Sequence, residues 1–162
     1  MKVTSDYDTD AHFAAYRTYE WTSPSQQSTG DPRLDNPFLD SRIRGAVEKQ
    51  LADKGFMKDS AGRPDLLVVY HTAVRGKLDV TSVSNYTYGP RWGYYGGVPG
   101  GTTYVREYDE GSLILDLIDA STRQLVWRGS AQAEIKENAG PREKQERINE
   151  AVRKIMKRFP PK

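Results

Sequence analysis

Apolar residues recur along this chain at two periods, and the changes of period divide it into elements. Val3, Ser5 and Tyr7 alternate with Thr4 and Asp6, and Arg17-Thr18-Tyr19-Glu20-Trp21 alternates again. Period 2 is that of a half-buried strand. Phe13 and Tyr16, three apart, predict a single helical turn between the two strands. Thr22 to Asp35, rich in Ser, Gln, Pro, Gly and Asp, reads as a loop. Asn36 then offers an N-cap, and Pro37 suits the first helical position, where a missing N–H costs nothing. Leu39, Ile43, Ala46, Val47 and Leu51 form one apolar face. Gly55 is free to take positive φ just past the end. The expected helix runs from Pro37 to Lys54.

From Asp65 the period returns to 2. Leu66, Val68, Tyr70, Thr72, Val74, Leu78 and Val80 keep one face mainly apolar. The other face starts with Leu67 and Val69 and becomes charged at Arg75, Lys77 and Asp79. This predicts a strand covered on both faces at its start and on one face later. Val105 to Ile118 is its expected return partner, with Leu113, Leu115 and Leu117 on one face and Ile114 and Ile118 on the other. After the turn Asp119–Arg123, a third strand should point Leu125, Trp127, Ala131, Ala133 and Ile135 one way. A last helix is expected over Pro141–Arg158, with Ile148, Ala151, Val152, Ile155, Met156 and Phe159 in its stripe and Pro160-Pro161 as its stop. Strand runs with two one-sided helices argue for an α+β fold. The expectation is a single domain over residues 1–162: a two-layer sandwich of one antiparallel sheet of about five strands with both helices on one face.

Composition narrows the chemistry. With 24 basic and 22 acidic residues the net charge is +2, which gives no general electrostatic case for nucleic acid. The absence of cysteine removes disulfides, thiolate metal sites and a cysteine nucleophile from this chain. The longest apolar run, Leu66 to Tyr70, is far too short to span a membrane. No apolar stretch near Met1 reads as a signal peptide.

Few residues suggest catalysis or metal binding. Asp6-Tyr7-Asp8-Thr9-Asp10 opens like a calcium loop, but Ala11 and Arg17 stand where glycine and glutamate are required. A turn made by Asp8 and Asp10, capping a short helical segment, explains them better. His71 reads as a core histidine with one hydrogen-bond partner and His12 as a surface residue, so neither has a second ligand beside it. No HExxH, GxSxG, P-loop or GxGxxG occurs. Carboxylate pairs such as Asp116 with Asp119 are too common to name an acid and a base. The expectation is therefore no metal, no cofactor and no catalytic residue. Lys157, Arg158 and Lys162 fall outside the apolar stripe and read as a solvated helix face.

The segment Ser84–Tyr104 stands out. It carries Tyr86, Tyr88, Trp92, Tyr94, Tyr95 and Tyr104 among six glycines, too much glycine for a regular element. Aromatics are poor residues to leave in water. One reading makes Tyr86, Tyr88, Trp92, Tyr94 and Tyr95 the ligand-binding residues, stacking on sugar rings or gripping a protein, with Tyr86–Tyr95 the most mobile part of the domain. The other lays the aromatics of a hairpin tip back on the sheet.

Several segments in order resemble a bacterial family known as domain of unknown function 4136, made largely of envelope lipoproteins. They are Val3–Asp8, Phe13 with Tyr16–Trp21, Asn36-Pro37, Leu51–Phe56, Pro64–Val68, Gly111–Asp119, Leu125–Gly129, and Ile148–Val152 with Phe159–Pro161. The resemblance implies secreted proteins with a lipid-modified cysteine shortly before the first strand, and it brings no catalytic residues. It implies a domain in the bacterial periplasm or at the outer membrane. Such a domain would meet the membrane only through an N-terminal lipid anchor lying outside these 162 residues. The expected function is a non-enzymatic envelope domain that binds a protein partner or cell-wall glycan. A glycan hydrolase using carboxylates and a purely structural lipoprotein are the alternatives.

Overall fold

The computed structural model describes residues 1–22, 29–84 and 101–162, without the side chains of 81–84 and 101–103. Strand β1 (Lys2–Tyr7) is followed by a 3₁₀ turn (Phe13–Ala15) and β2 (Thr18–Trp21). Helix α1 (Pro37–Asp53) comes next, then β3 (Met57–Lys58), β4 (Leu66–Ser84), β5 (Gly101–Asp119), β6 (Leu125–Glu134) and helix α2 (Pro141–Met156). The strands form one six-stranded sheet in the order β1-β6-β5-β4-β2-β3.

The expected single sheet with two helices is present, but the sheet is mixed and has one strand more than expected. β2 runs parallel to both β3 and β4. α1 lies between β2 and its parallel neighbours in the chain, which is the crossover a parallel pair requires. Two residues of β3 are too few to show any period.

Register sorts the side chains. Tyr70 opposes Leu115, Val68 opposes Leu117, and Leu113 opposes Ala131. These residues share an inner face and are buried. Tyr19 and Trp21 join them alongside Leu66 and Val68. Ile43, Val47 and Leu51 of α1 and Val152, Ile155 and Met156 of α2 complete the same core cluster. On the outer face Leu67, Val69, Ile114 and Ile118 stay half-buried. The cover expected on both faces of early β4 is therefore absent among the described residues, because both helices carry their apolar stripes to the inner face.

Asn36 caps α1 through its Oδ1, which accepts from the Leu39 N–H at 2.8 Å. Gly55 ends it at φ +89°. Polar side chains also tie α1 to the sheet: Trp21 Nε1 donates to Glu48 at 2.9 Å and the Tyr70 hydroxyl to Asp40 at 2.6 Å. α2 stops at Met156, two residues before the expected end. Phe159 then turns inward, its ring centroid 5.2 Å from that of Trp127. In β6 the register shifts between Leu117 and Ile118 of its partner. The bulge skips Val126, which is buried, and turns Leu125 outward to 44% exposure. The expected inward Leu125 is corrected by that one residue.

β4 and β5 pair over their whole lengths, from Leu66 with Asp119 to Ser84 with Gly101. β6 stops at Glu110. Beyond that point the sheet continues as a two-stranded ribbon. Leu78, Val80 and Val105 extend the inner-face register along it and are 65%, 59% and 61% exposed. On the opposite face, the Arg106 guanidinium sits 4.9 Å from the Tyr108 ring centroid and bonds Glu134 at 2.9 Å.

Candidate functional site

The residues expected to bind ligand, Tyr86, Tyr88, Trp92, Tyr94 and Tyr95, lie outside the described residues, and so does the mobility expected of Tyr86–Tyr95.

The carboxylates Asp116, Asp119 and Asp8 lie within the described residues. Asp116 is buried on the outer face at 4% exposure. Arg128 grips it with two bonds of 2.6 and 2.7 Å, and His71 Nε2 lies 3.2 Å from Oδ2. His71 thus has the single partner expected, but its side chain is 37% exposed and it is no core residue. Asp119 is occupied elsewhere. Its Oδ1 accepts from the Ser121 hydroxyl at 2.6 Å and its Oδ2 from the Tyr16 hydroxyl at 2.8 Å. The Ser121 bond leads the causes that hold the Asp119 carboxyl down at about 2. Burial, then the bond to Asp119, pushes the Tyr16 hydroxyl up to about 12. The two carboxylates form no acid–base pair. Asp8 makes the expected turn, accepting from the Asp10 N–H at 2.9 Å. The cap expected of it on the 3₁₀ turn is not made: His12 holds that position without a side-chain bond. Among the described residues no group of three metal-ligating side chains is assembled.

A groove of about 900 Å³ lies on the inner face, beside the root of the ribbon. Its floor is Leu113, Ala131 and Ala133 of the sheet, and its walls are Leu39 and Ile43 of α1 and Ile148 and Ala151 of α2. It exists because the first turns of α2, Pro141 to Arg147, carry no apolar residue to cover the sheet. The strands beneath also present small residues beside Leu113, namely Gly111, Ala131 and Ala133, and a β-carbon at Gly111 would meet Ile135 at 3.1 Å. Both signs were available in the sequence: a polar helix start, and small residues where a neighbouring strand has leucine.

The groove rim is charged. Arg33 bonds Asp31 at 2.9 Å, Asp109 at 2.8 Å and Glu137 at 3.3 Å. The Arg33 guanidinium holds the Asp31 carboxyl below its ordinary range. Lys136 pairs with Glu143 at 2.7 Å, and Glu134 is taken by Arg106. Arg147 donates to the Glu134 main-chain carbonyl. The Arg42 guanidinium lies 5.9 Å from the Phe38 ring centroid, over a ring that is 73% exposed. A second concavity of about 290 Å³ lies between the 3₁₀ turn, Phe56 and the C-terminal prolines.

A single mixed sheet, covered on one face by two helices and extended by a two-stranded ribbon, places the chain among small α/β domains. Within that class it belongs to the family described as domain of unknown function DUF4136, which matches residues 3–161. No curated protein sequence matches it. Its fold is similar to part of a PDZ domain protein from Parabacteroides distasonis (TM-score 0.60, 14% identity), covering 99% of this chain and 35% of that one. This chain thus spans about a third of that protein. The fold is also similar to two PelC dodecamers from Paraburkholderia phytofirmans, one a point variant. Their TM-scores are 0.53 and 0.52, their identities 11% and 12%, and they cover 96% of this chain and 93% and 96% of theirs.

Proposed function

We propose that this chain is a non-enzymatic binding domain of the bacterial cell envelope, and that it holds a protein partner on the β4–β5 ribbon. The observation that carries this reading is the row Leu78, Val80 and Val105, aliphatic and more than half exposed on one face of a projecting ribbon. Contiguous apolar surface of this kind marks association surfaces. Aliphatic side chains suit a protein better than a glycan, since sugars stack on aromatic rings. Assembly of the similar folds as PelC dodecamers makes a second copy of this chain the first partner to test. Envelope placement and an N-terminal anchor follow from the family resemblance alone.

Sedimentation of the chain beside its Leu78→Glu/Val105→Glu variant tests the reading. Concentration-dependent assembly, or retention of a purified envelope protein, should disappear in the variant while its circular dichroism stays unchanged. If the two chains behave alike in both measurements, the ribbon is not the interface. A full-length reading frame without a signal sequence would remove the envelope placement.

A further inference from the structure

We infer that the groove between the two helices is a binding site for a long-chain carboxylate, a free fatty acid whose alkyl chain lies on the sheet and whose head meets the basic rim. The observation behind it is independent of the ribbon. A volume of about 900 Å³ lies within the range of small-molecule sites, roughly 300–1,000 Å³. The α2 residues that line it, Pro141 to Ala151, extend over about 15 Å of helix at 1.5 Å per residue, on the scale of an extended dodecyl chain.

The floor selects the tail. Leu113 and Ala131 lie on β5 and β6 with a paired strand on each side, and Ala133 pairs with Gly111 of β5. An extended peptide laid there would find nothing to satisfy its own N–H and C=O groups, and leaving them buried and unpaired is costly. An alkyl chain has no such groups, and each methylene it buries is favourable.

The rim selects the head. Its acidic residue Glu137 is held by Arg33, and the Glu134 carboxylate lies on the opposite face with Arg106. Arg42, Lys144 and Arg147 line the same groove with no carboxylate partner among the described residues. Arg147 reaches only a main-chain carbonyl, and Arg42 only a phenyl ring. Three cations beside an apolar trough complement one anion attached to one apolar chain.

Titration calorimetry of the whole chain with laurate, dodecanol and acetate tests this. Laurate should bind with one site per chain, dodecanol at least about tenfold more weakly for want of the charge, and acetate not measurably. Lys144→Glu, at an exposed helix position, should weaken laurate by about tenfold or more without changing the fold. Ala133→Trp should fill the trough and abolish binding, with circular dichroism as the check on its folding. Equal binding of laurate and dodecanol would overturn the role of the rim. Unchanged affinity in Lys144→Glu, or in a folded Ala133→Trp, would place the site elsewhere. Displacement of laurate by an acidic amphipathic peptide that binds more tightly would make the occupant a protein and overturn the proposal.

Discussion

The indole of Trp127 lies across Gly129, two residues along the same strand. A β-carbon at 129 would stand 2.3 Å from the ring and 2.5 Å from Ile155 Cγ2. Glycine is required here by volume and not by backbone conformation. The clearance lets the largest core side chain lie flat between the sheet and α2, against Phe159. Gly129→Ala should therefore destabilise the fold by about 1–3 kcal/mol or more, the range for overpacked cores. Urea unfolding with an unchanged slope would read the loss, whereas an unchanged midpoint would mean that the indole can move.

The cap at Asn36 offers a smaller and cleaner test. Its Oδ1 satisfies the Leu39 N–H, and its amide donates to the Arg33 carbonyl at 2.9 Å. Asn36→Ala should cost about 0.5–2 kcal/mol, while Asn36→Asp, which keeps the acceptor, should recover most of it. Thermal melts of the two variants should separate in that order.

Asp116 and Arg128 form a pair of unequal burial, with the carboxylate dry and the guanidinium about half in water. Arg128→Met should cost about 1–3 kcal/mol, less than a fully dry pair because water still reaches the site. Replacing both residues with Asp116→Leu/Arg128→Met should cost less than the single change, since no buried charge is left behind. A double variant worse than the single one would give the pair a net stabilising role that this geometry does not predict.

Stability against pH should show two limbs. Asp119 has a folded value of about 2 against an ordinary 3.8. Its contribution is complete above pH 3.8 and is lost as pH falls through 2. Tyr16 is shifted the other way, from 10.0 to about 12, so its contribution is complete below pH 10 and lost as pH rises through 12. Tyr16→Phe should flatten the alkaline limb in part only. Burial also holds Tyr19 up at about 12, and burial with the Asp40 bond raises Tyr70. Unfolding midpoints across both ranges would show this, and an alkaline limb left unchanged by Tyr16→Phe would remove Tyr16 from it.

The sequence disclosed elements wherever the local signal was long. α1 announces itself through Asn36, Pro37 and Gly55 together, and the alternation of β4 and β5 shows in Val68–Thr72 facing Leu113–Leu117. Short elements carried no such signal. The four residues of β2 alternate correctly, yet alternation is the same for parallel and antiparallel strands, so the direction depended on the path through α1. A single bulge residue, Val126, exchanged the faces of its neighbour Leu125. His71 looked buried because Val69 and Ala73 flank it, but flanking residues report a face only when something covers that face. The groove was legible in principle, since a polar helix start over Ala131 and Ala133 is visible in the chain. Its depth depends on how α2 sits over β5 and β6, which the spacing of residues along one element does not carry.

The ribbon has a thermodynamic consequence of its own. From Gly76 to Val80, facing Val105 to Asp109, each strand has one partner strand among the described residues, and an isolated two-stranded ladder is marginal in water. Its hydrogen bonds can part from the far end inward without disturbing Trp127 or either helix. Two cooperative units are therefore expected: a core that opens only on global unfolding, and an arm whose amides should exchange faster with distance from Glu110. Whatever settles on that arm would close the gradient while leaving the core's own protection unchanged.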